Sequence, residues 1–241
     1  MTAADPRLEA LLRVQEQDTV LDQLRHRRAT LPARAELAAL EAEQLRRDRE
    51  VSGLRTRRDE ILVEERRFDD EAQTIAAKAK DVDAKLYSGT IASPRELQAL
   101  QADLEMLHRR RRELEDHELE QMEAREAVEG ELTAAEAALA ETNDAIARTR
   151  AELASGEAEI DAEVAREAAT RHEHASGVPP EMVADYEQRR VKNRGFGIAR
   201  LVGDTCQACH LSIPATEVER IRRTGGDPVA SCDNCGAILV P

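Results

Sequence analysis

The stretch "YSGTIASP" (residues 87–94) interrupts a helical pattern that otherwise fills most of this 241-residue chain. Gly89 suits a turn, because glycine adopts backbone angles that other residues avoid. Ser93, Pro94 and Glu96 then mark a helix start. The serine can cap the helix, the proline suits its first position, and the glutamate completes a capping box. The sequence therefore predicts two long helices, one ending just before this stretch and one beginning at its end.

Apolar residues recur at steps of three and four on both sides of this break, which is the repeat of a coiled-coil seam. Before the break they are Leu37, Leu40, Val51, Leu54, Ile61, Phe68, Ala72, Ile75, Ala79, Val82 and Leu86. After it they are Leu97, Leu100, Leu104, Leu107, Leu114, Val128, Leu132, Ala135, Leu139, Ile146, Leu153 and Ile160. Between Leu114 and Val128 the phase weakens, and Leu119 and Met122 fit a shifted register. Polar residues also fall on the seam, and we expect them to fix the pairing register: Gln44, Arg47, Arg58, Arg111, Glu118 and Arg125.

The two helical halves have similar lengths of ~80 residues, or ~120 Å at a rise of about 1.5 Å per residue. Two such helices joined by a short turn favour an antiparallel hairpin. The alternative is a parallel dimer of one continuous helix. An earlier break at 31–32 separates a first helix near Pro6–Thr30, because Pro32 lacks an amide donor. In a hairpin the chain returns to its start, so the C-terminal residues should lie beside the N-terminal ones.

The composition is that of long helices, with 35% charged and 2% aromatic residues. The net charge of −14 argues against a protein whose whole surface binds nucleic acid. The N-terminal residues do not resemble a signal peptide, and no stretch approaches the length of a membrane span. We therefore expect a cytoplasmic protein that does not engage membranes, in a compartment where disulfides are rare.

The four cysteines of the chain lie in its last 36 residues, in "TCQACH" (205–210) and "SCDNCG" (231–236). Two residues between cysteines allow both thiolates of a turn to face one ion, and two such turns supply a tetrahedral set for Zn²⁺. The pattern predicts one structural zinc ion bound by Cys206, Cys209, Cys232 and Cys235. Redox or disulfide use, an iron site, and ligation by His210 are alternatives. Four thiolates leave no open position on the metal for catalysis.

Gly177, Pro179 and Pro180 mark a boundary, so we predict a coiled-coil hairpin domain over 1–179 and a zinc-ribbon domain over 180–241. The fold class is mainly α, with a long antiparallel helical hairpin followed by a small C-terminal ribbon. In the ribbon the pattern predicts a short helix after residue 180, one or two strands in "GFGIARLVGDTC" (195–206), a helix near Pro214, and a closing strand in "AILVP" (237–241).

Five cations without an intervening acid precede the first cysteine pair, and they form a candidate nucleic-acid contact: Arg189, Arg190, Lys192, Arg194 and Arg200. The alternative is a solvated face that balances the acidic helices. Arg220, Arg222 and Arg223 could extend this surface. Gly195 and Gly197 do not make a dinucleotide motif, because the third glycine and the following long helix are missing.

Three stretches resemble bacterial coiled-coil proteins with a C-terminal C4-type zinc ribbon. "LYSGTIASPRELQALQADLE" (86–105) is similar to the hairpin tip of that family, and "RRRELEDHELEQME" (110–123) is similar to its following acidic segment. "GFGIARLVGDTCQACHLSIP" (195–214) with "SCDNCGAILV" (231–240) is similar to its ribbon. The resemblance implies a hairpin with a zinc ribbon at its base. It also implies adaptor or chaperone-like roles in secretion, flagellar assembly or transcription, with RNA contacts in some members.

The sequence therefore predicts a non-enzymatic adaptor, scaffold or chaperone-like protein without a small-molecule substrate. Its protein partners would contact the extended coiled coil. The candidate contact is the hairpin tip, at Leu86, Tyr87, Ser88, Gly89 and Pro94. The alternative function is an RNA- or DNA-binding regulator that uses the ribbon and the basic residues 189–200.

Overall fold

The computed structural model describes residues 5–89, 91, 93–224 and 229–241. It forms two compact units, one of Met1–Ala35 with Arg150–Pro241 and one of Glu36–Thr149. The helices are α1 (Pro6–Ala29), α2 (Pro32–Leu86), α3 (Pro94–Ser176), α4 (Pro180–Lys192) and α5 (Ala215–Thr224). The strands are β1 (Ile198–Val202), β2 (Thr205–Cys206), β3 (Ala230–Ser231) and β4 (Ile238–Val240). Only β3 had no counterpart among the predicted elements.

Within the unit Glu36–Thr149, α2 and α3 run antiparallel. The Gln44 amide donates to the Asn143 side chain at 2.7 Å, and Arg125 Nε lies 2.9 Å from Glu65 Oε2. The predicted helical hairpin is confirmed. The alternative of one continuous helix is wrong, because α2 ends at Leu86 and α3 begins at Pro94.

The predicted seam is the packed face of both helices. Every apolar seam position from Leu37 to Leu86 and from Leu97 to Ile160 is buried or half-buried. Two of the polar seam positions, Gln44 and Arg125, reach partners on the other helix. Arg47 and Arg58 instead pair with residues of their own helix. Polar pairing across the seam at such positions favours one register of a coiled coil.

The predicted register shift between Leu114 and Val128 is wrong. Leu119 and Met122 are 56% and 39% exposed. Glu118 and Arg125, at the seam positions in between, are half-buried. The seam thus continues in one phase through polar side chains, and the apolar residues that suggested a new phase face solvent.

In the unit that contains both chain ends, α1 lies against the C-terminal part of α3 and against the ribbon. Asp5 caps α1 by accepting the Arg7 amide at 2.8 Å. Arg28 Nε lies 2.8 Å from Asp161 of α3, and Arg200 of β1 lies 2.7 Å from Glu9 of α1. The ribbon therefore lies beside the N-terminal helix, as the hairpin topology predicts.

The ribbon contains a four-stranded sheet in the order β2-β1-β4-β3. The central strands β1 and β4 are parallel, with Ile198 opposite Ile238. The edge strands β2 and β3 are antiparallel to them.

The two faces of this sheet bury separate clusters, because successive strand residues point to opposite sides. Ile198, Ile238 and Val240 pack against Leu8, Leu11 and Tyr186 of α1 and α4. Ala199, Leu201 and Leu239 instead pack against Val218 and Ile221 of α5 and against Cys206 and Cys232. One face therefore joins the ribbon to the helices, and the other covers the cysteine cluster.

The predicted domain division at residues 179 and 180 falls in the gap between α3 and α4. The compact units divide the chain elsewhere, so this assignment stays a prediction. Across the part of the chain described above, none of the helices has an apolar stretch long enough to cross a bilayer.

Candidate functional site

The first cysteine pair lies in a tight turn closed by two backbone hydrogen bonds. The His210 amide donates to the Cys206 carbonyl at 2.8 Å, and the Cys206 amide donates to the Leu211 carbonyl at 3.1 Å. This turn directs both side chains of the pair to the same side. We call it the first knuckle.

The second cysteine pair repeats this arrangement as a second knuckle. The Gly236 amide donates to the Cys232 carbonyl at 2.7 Å, and the Cys232 amide donates to the Ala237 carbonyl at 2.9 Å. The residue after each pair, His210 and Gly236, has a positive φ of 59° and 74°. The two knuckles are therefore structural equivalents.

The four sulfur atoms converge on one point. All four lie within 4.8 Å of one another. Cys206 Sγ lies 4.0 Å from Cys235 Sγ, and Cys209 Sγ lies 3.9 Å from Cys232 Sγ. Zn–S bonds of about 2.3 Å in a tetrahedron place sulfurs about 3.8 Å apart. The cluster therefore fits one structural zinc ion. All four cysteines are free thiols in this structure.

Burial determines how these sulfurs hold protons in the absence of metal. Desolvation raises the pKa of the Cys206 thiol and raises the pKa of Cys235 to about 12. Cys209 is also desolvated, but the Leu211 amide and the neighbouring thiols lower its pKa overall. Because zinc binds thiolates, its binding must release the protons held at these sulfurs.

His210 does not join the donor set. Among the described residues, the four cysteines are the one group of His, Cys, Asp or Glu that could hold a metal ion. His210 instead occupies the left-handed backbone position that Gly236 fills in the second knuckle. The sequence suggested ligation as an alternative because a histidine follows the first pair directly.

Three of the five predicted nucleic-acid cations make contacts within the chain. Arg189 donates to the Gly236 carbonyl at 2.6 Å and to Ser231 Oγ at 2.8 Å. Arg190 pairs with Asp22 of α1, and Arg200 pairs with Glu9. These arginines join α4 to the second knuckle and join α1 to α4 and β1.

Lys192 and Arg194 are the two predicted cations that remain exposed without a described ion pair. Two of the three α5 arginines that could extend this surface also make contacts within the chain. Arg220 Nε donates to Glu217 at 2.9 Å, and Arg222 donates to the Gly203 carbonyl at 2.7 Å.

The predicted tip lies where α2 ends and α3 begins. Tyr87 is 79% exposed, while Leu86 is half-buried. The Ser88 hydroxyl donates to the Lys85 carbonyl at 2.7 Å, and Gly89 has the positive φ of 70° that its turn role predicts. Pro94 is exposed at the start of α3. Thr90 and Ala92, also in the predicted tip, lie outside the described residues.

A buried polar cluster around Asp18 was not predicted from the sequence. Asp18 is 4% exposed and accepts the Tyr186 hydroxyl at 2.7 Å and Arg171 Nε at 3.0 Å. Burial, with the hydrogen bond to Asp18, raises the pKa of Tyr186, so its hydroxyl stays protonated and donates. We call Asp18, Arg171, Tyr186 and Arg190 the Asp18 cluster. The signal available in sequence was a lone acid on an otherwise apolar helix face.

The "GFG" segment (residues 195–197) makes structural contacts with α1 and α4 and is not a ligand-binding loop. Gln15 of α1, 5% exposed, donates to the Gly195 carbonyl at 2.8 Å and accepts the Gly197 amide at 2.9 Å. A Cβ on Gly197 would lie 2.4 Å from Tyr186 Cδ2 and from the Tyr186 carbonyl oxygen. The close approach of the two backbones therefore requires glycine at this position.

A family model described as the CT398-like coiled coil hairpin domain matches residues 14–194, and one for the C4-type zinc ribbon domain matches residues 205–239. The chain belongs to the CT398-like coiled coil hairpin family. The zinc-ribbon match covers both knuckles and supports one structural zinc ion as the metal of the cysteine cluster. Both families are structural types, and neither match indicates an enzymatic domain.

Two curated relatives align over the whole chain. Two proteins of Mycobacterium tuberculosis, the uncharacterized proteins MT2288 and Rv2229c from two strains, are each 31% identical over 100% of this chain and 97% of their own length.

Solved structures share the fold. One from Mycobacterium smegmatis has a TM-score of 0.88 at 24% identity, with both chains fully covered. CT398 from Chlamydia trachomatis has a TM-score of 0.73 at 18% identity, with 97% of each chain covered. The HP0958 protein from Helicobacter pylori has a TM-score of 0.53 at 14% identity, covering 99% of this chain and 98% of its own.

Proposed function

We propose that this chain is a non-enzymatic adaptor or chaperone-like protein that binds other proteins through its helical hairpin. The zinc ion, bound by Cys206, Cys209, Cys232 and Cys235, has a structural role. Four thiolates fill a tetrahedral shell and leave no position for a substrate or an activated water. The four thiols are free of disulfides, which suits the reducing cytoplasm where we place the protein.

The observation that carries this proposal is the exposure of Tyr87 at the tip. The chain has only two tyrosines, two phenylalanines and no tryptophan, yet it leaves this ring 79% exposed. The other tyrosine, Tyr186, is fully buried. Exposed aromatic side chains are enriched where proteins bind one another, because they bury a large area at low entropic cost.

Quantitative affinity capture tests this proposal. Wild-type chain, Tyr87→Ser and Leu45→Ser serve as baits, because Leu45 is an exposed apolar residue of α2 away from the tip. We expect at least one partner to be lost with Tyr87→Ser and kept with Leu45→Ser. An identical partner set for all three baits would show that partners do not bind the tip through Tyr87.

The second candidate function is RNA or DNA binding through the ribbon. The observation that favours it is the exposure of Lys192 and Arg194 at the end of α4 and just after it. Two phosphate contacts predict weak binding with a shallow salt dependence. Reversing Arg189 or Arg190 would disturb contacts within the chain, so Lys192→Glu with Arg194→Glu is the informative variant.

Fluorescence anisotropy with a random-sequence single-stranded RNA and a DNA duplex tests this second function. Binding at low salt that the double variant loses, and that Lys80→Glu keeps, would support it. Lys80 is an exposed cation of α2 and serves as the matched control. The function is excluded if neither nucleic acid binds at low salt.

A further inference from the structure

A groove of about 560 Å³ lies between α2 and α3 within the unit Glu36–Thr149. We call it the hairpin groove, and its principal lining residues are Val63, Arg66, Ile75, Lys78, Arg110 and Leu114. Leu114 is buried and Ile75 is half-buried, but Val63 is 62% exposed. The apolar side chain of Val63 is thus left uncovered at the edge of the groove.

The shape of the hairpin groove suits a helix. Its residues on α2 recur at steps of three and four from Val63 to Lys78, so they follow one side of that helix. Fifteen steps at about 1.5 Å span ~22 Å, the length of about four helical turns. Partner helices commonly bind in such grooves through apolar residues at matching steps.

The charge of the hairpin groove is opposite to that of the unit around it. Glu36–Thr149 contains 18 basic and 29 acidic residues, a net charge of −11. The groove lining has four cations, Arg66, Arg67, Lys78 and Arg110, against two carboxylates, Asp70 and Glu71. A positive groove on a negative helix pair selects a negative partner and disfavours a basic one.

Some of the cations that line the hairpin groove form no ion pair within the described part of the chain. Arg67 pairs with Glu64 at 2.8 Å and Arg110 pairs with Glu113 at 3.2 Å. Both arginines also approach Glu71, at 3.9 and 4.0 Å, so these two cations are already engaged. Arg66 and Lys78 form no ion pair with any residue that the structure describes. They are therefore available to carboxylates of another molecule.

We propose that the hairpin groove binds an acidic amphipathic α-helix of a partner protein. Apolar residues of that helix cover Val63 and Ile75, and its flanking carboxylates pair with Arg66 and Lys78. This inference rests on the adaptor function proposed above, and it names the chemistry of one partner segment.

Two designed peptides of about 16 residues, matched to the groove length, test the inference by fluorescence anisotropy. Both have leucine at steps of three and four; one has glutamate at the flanking positions and the other has lysine. We expect the acidic peptide to bind and the basic one to bind at least about tenfold more weakly. Binding of the acidic peptide should weaken as ionic strength rises to about 0.15 M.

Variants of the full chain assign the binding to the groove. Val63→Asp, and Arg66→Glu combined with Lys78→Glu, should each weaken the acidic peptide about tenfold or more. Leu45→Asp, and Arg49→Glu combined with Lys80→Glu, make the same changes at exposed positions of α2 outside the groove lining, and they should bind as wild type. Circular dichroism and zinc content identify any variant that fails to fold.

Equal binding of both peptides, no binding at low salt, or equal effects of groove and control variants would overturn the inference. So would self-association that Val63→Asp abolishes in light scattering, since the groove would then belong to a second copy of this chain. The tip experiment with Tyr87→Ser stands apart from these results. Failure of the groove leaves the adaptor proposal intact, whereas an unchanged capture set counts against the tip alone.

Discussion

His210 and Gly236 occupy the same position in the two knuckles, each following the second cysteine of its pair with a positive φ. The amide of each donates to the carbonyl of the first cysteine four residues earlier, at 2.8 and 2.7 Å. The first knuckle therefore holds a histidine in a backbone conformation that favours glycine. The position of His210 is explained by turn geometry and does not require metal binding.

Replacing His210 with glycine should preserve or strengthen zinc binding. A left-handed conformation costs a non-glycine residue about 1–2 kcal/mol, and glycine costs about 0.5–1 kcal/mol in lost chain entropy. The difference favours His210→Gly by up to about 1.5 kcal/mol. Competition with a chromophoric chelator measures the effect, and Gly236→Ala, the reverse change, should weaken zinc binding about tenfold. Loss of zinc affinity in His210→Gly would instead identify the histidine as a ligand.

The fold was largely predictable because its strongest determinants are local or periodic. Pro32, Gly89 and Pro94 mark chain breaks that the structure places within three residues of the helix ends. The seam follows from the spacing of apolar residues, and the metal site follows from two pairs of cysteines. Each signal requires only neighbours along the chain or a single repeating period.

The remaining features depend on contacts between distant residues, which a single sequence does not encode locally. Gln15 and Gly197 are 182 residues apart, and Asp18 and Tyr186 are 168 apart. Arg189 was predicted to be a surface cation because its neighbours in sequence are basic. In the structure it donates to the Gly236 carbonyl of the second knuckle. The mistaken register shift has a similar cause, since Leu119 and Met122 are apolar yet no facing residue buries them.

Zinc binding should release at least two protons at neutral pH. Burial raises the pKa of Cys206 and raises that of Cys235 to about 12, so the metal-free chain keeps both thiols protonated. Zinc holds them as thiolates, so the zinc-bound state has the lower pKa values. The stabilisation that bound zinc gives the chain is present at high pH. It is lost as pH falls, because protons then compete with the metal for the sulfurs.

Calorimetric titration with zinc in two buffers of different ionisation enthalpy counts these protons. The logarithm of the zinc affinity should rise by about two or more per pH unit between about pH 6 and 8. An affinity that does not change over this range would contradict the assignment of buried, protonated thiols.

Removing zinc should disorder the half of the ribbon around α5 while the hairpin persists. Cys206 and Cys232 are 0% and 1% exposed and form part of the apolar cluster that α5 covers. Without the metal the four cysteines cannot hold that cluster together, because zinc binding supplies the folding energy of small sites. Hydrogen exchange with a chelator should accelerate at the amides of β2 and α5 and stay slow in α2. Added zinc should restore protection, and uniform loss of protection along the chain would contradict this view.

Replacing Gly197 with alanine should destabilise the unit that contains the chain ends by about 2–3 kcal/mol. Its Cβ would lie 2.4 Å from two atoms of Tyr186, one of them a backbone oxygen that cannot rotate away. Gly156→Ala is the matched control in the same unit, since its Cβ would meet Leu31 at an ordinary 3.7 Å. Alanine is favoured in a helix interior, so this control should gain up to about 1 kcal/mol. Urea denaturation followed by circular dichroism compares the two, and equal stabilities would show that the Gly197 backbone can shift.

Replacing Asp18 with asparagine should cost the same unit about 2–3 kcal/mol. Removing one partner of a buried ion pair costs about 3–5 kcal/mol when the remaining charge is left unpaired. Here Arg171 keeps Glu187 and Arg190 keeps Asp22, so the loss is smaller.

Two variants separate the contributions within the Asp18 cluster. Tyr186→Phe removes only the hydroxyl that donates to Asp18 and should cost about 1 kcal/mol. Glu187→Gln changes the exposed partner of Arg171 and should cost less than about 1 kcal/mol, as surface ion pairs do. Urea denaturation of the three variants should therefore rank Asp18→Asn as the least stable and Glu187→Gln as the most stable. If Asp18→Asn unfolds no more readily than Glu187→Gln, the buried carboxylate does not hold α1 against α4, and the apolar cluster around Leu11 and Tyr186 must do so alone.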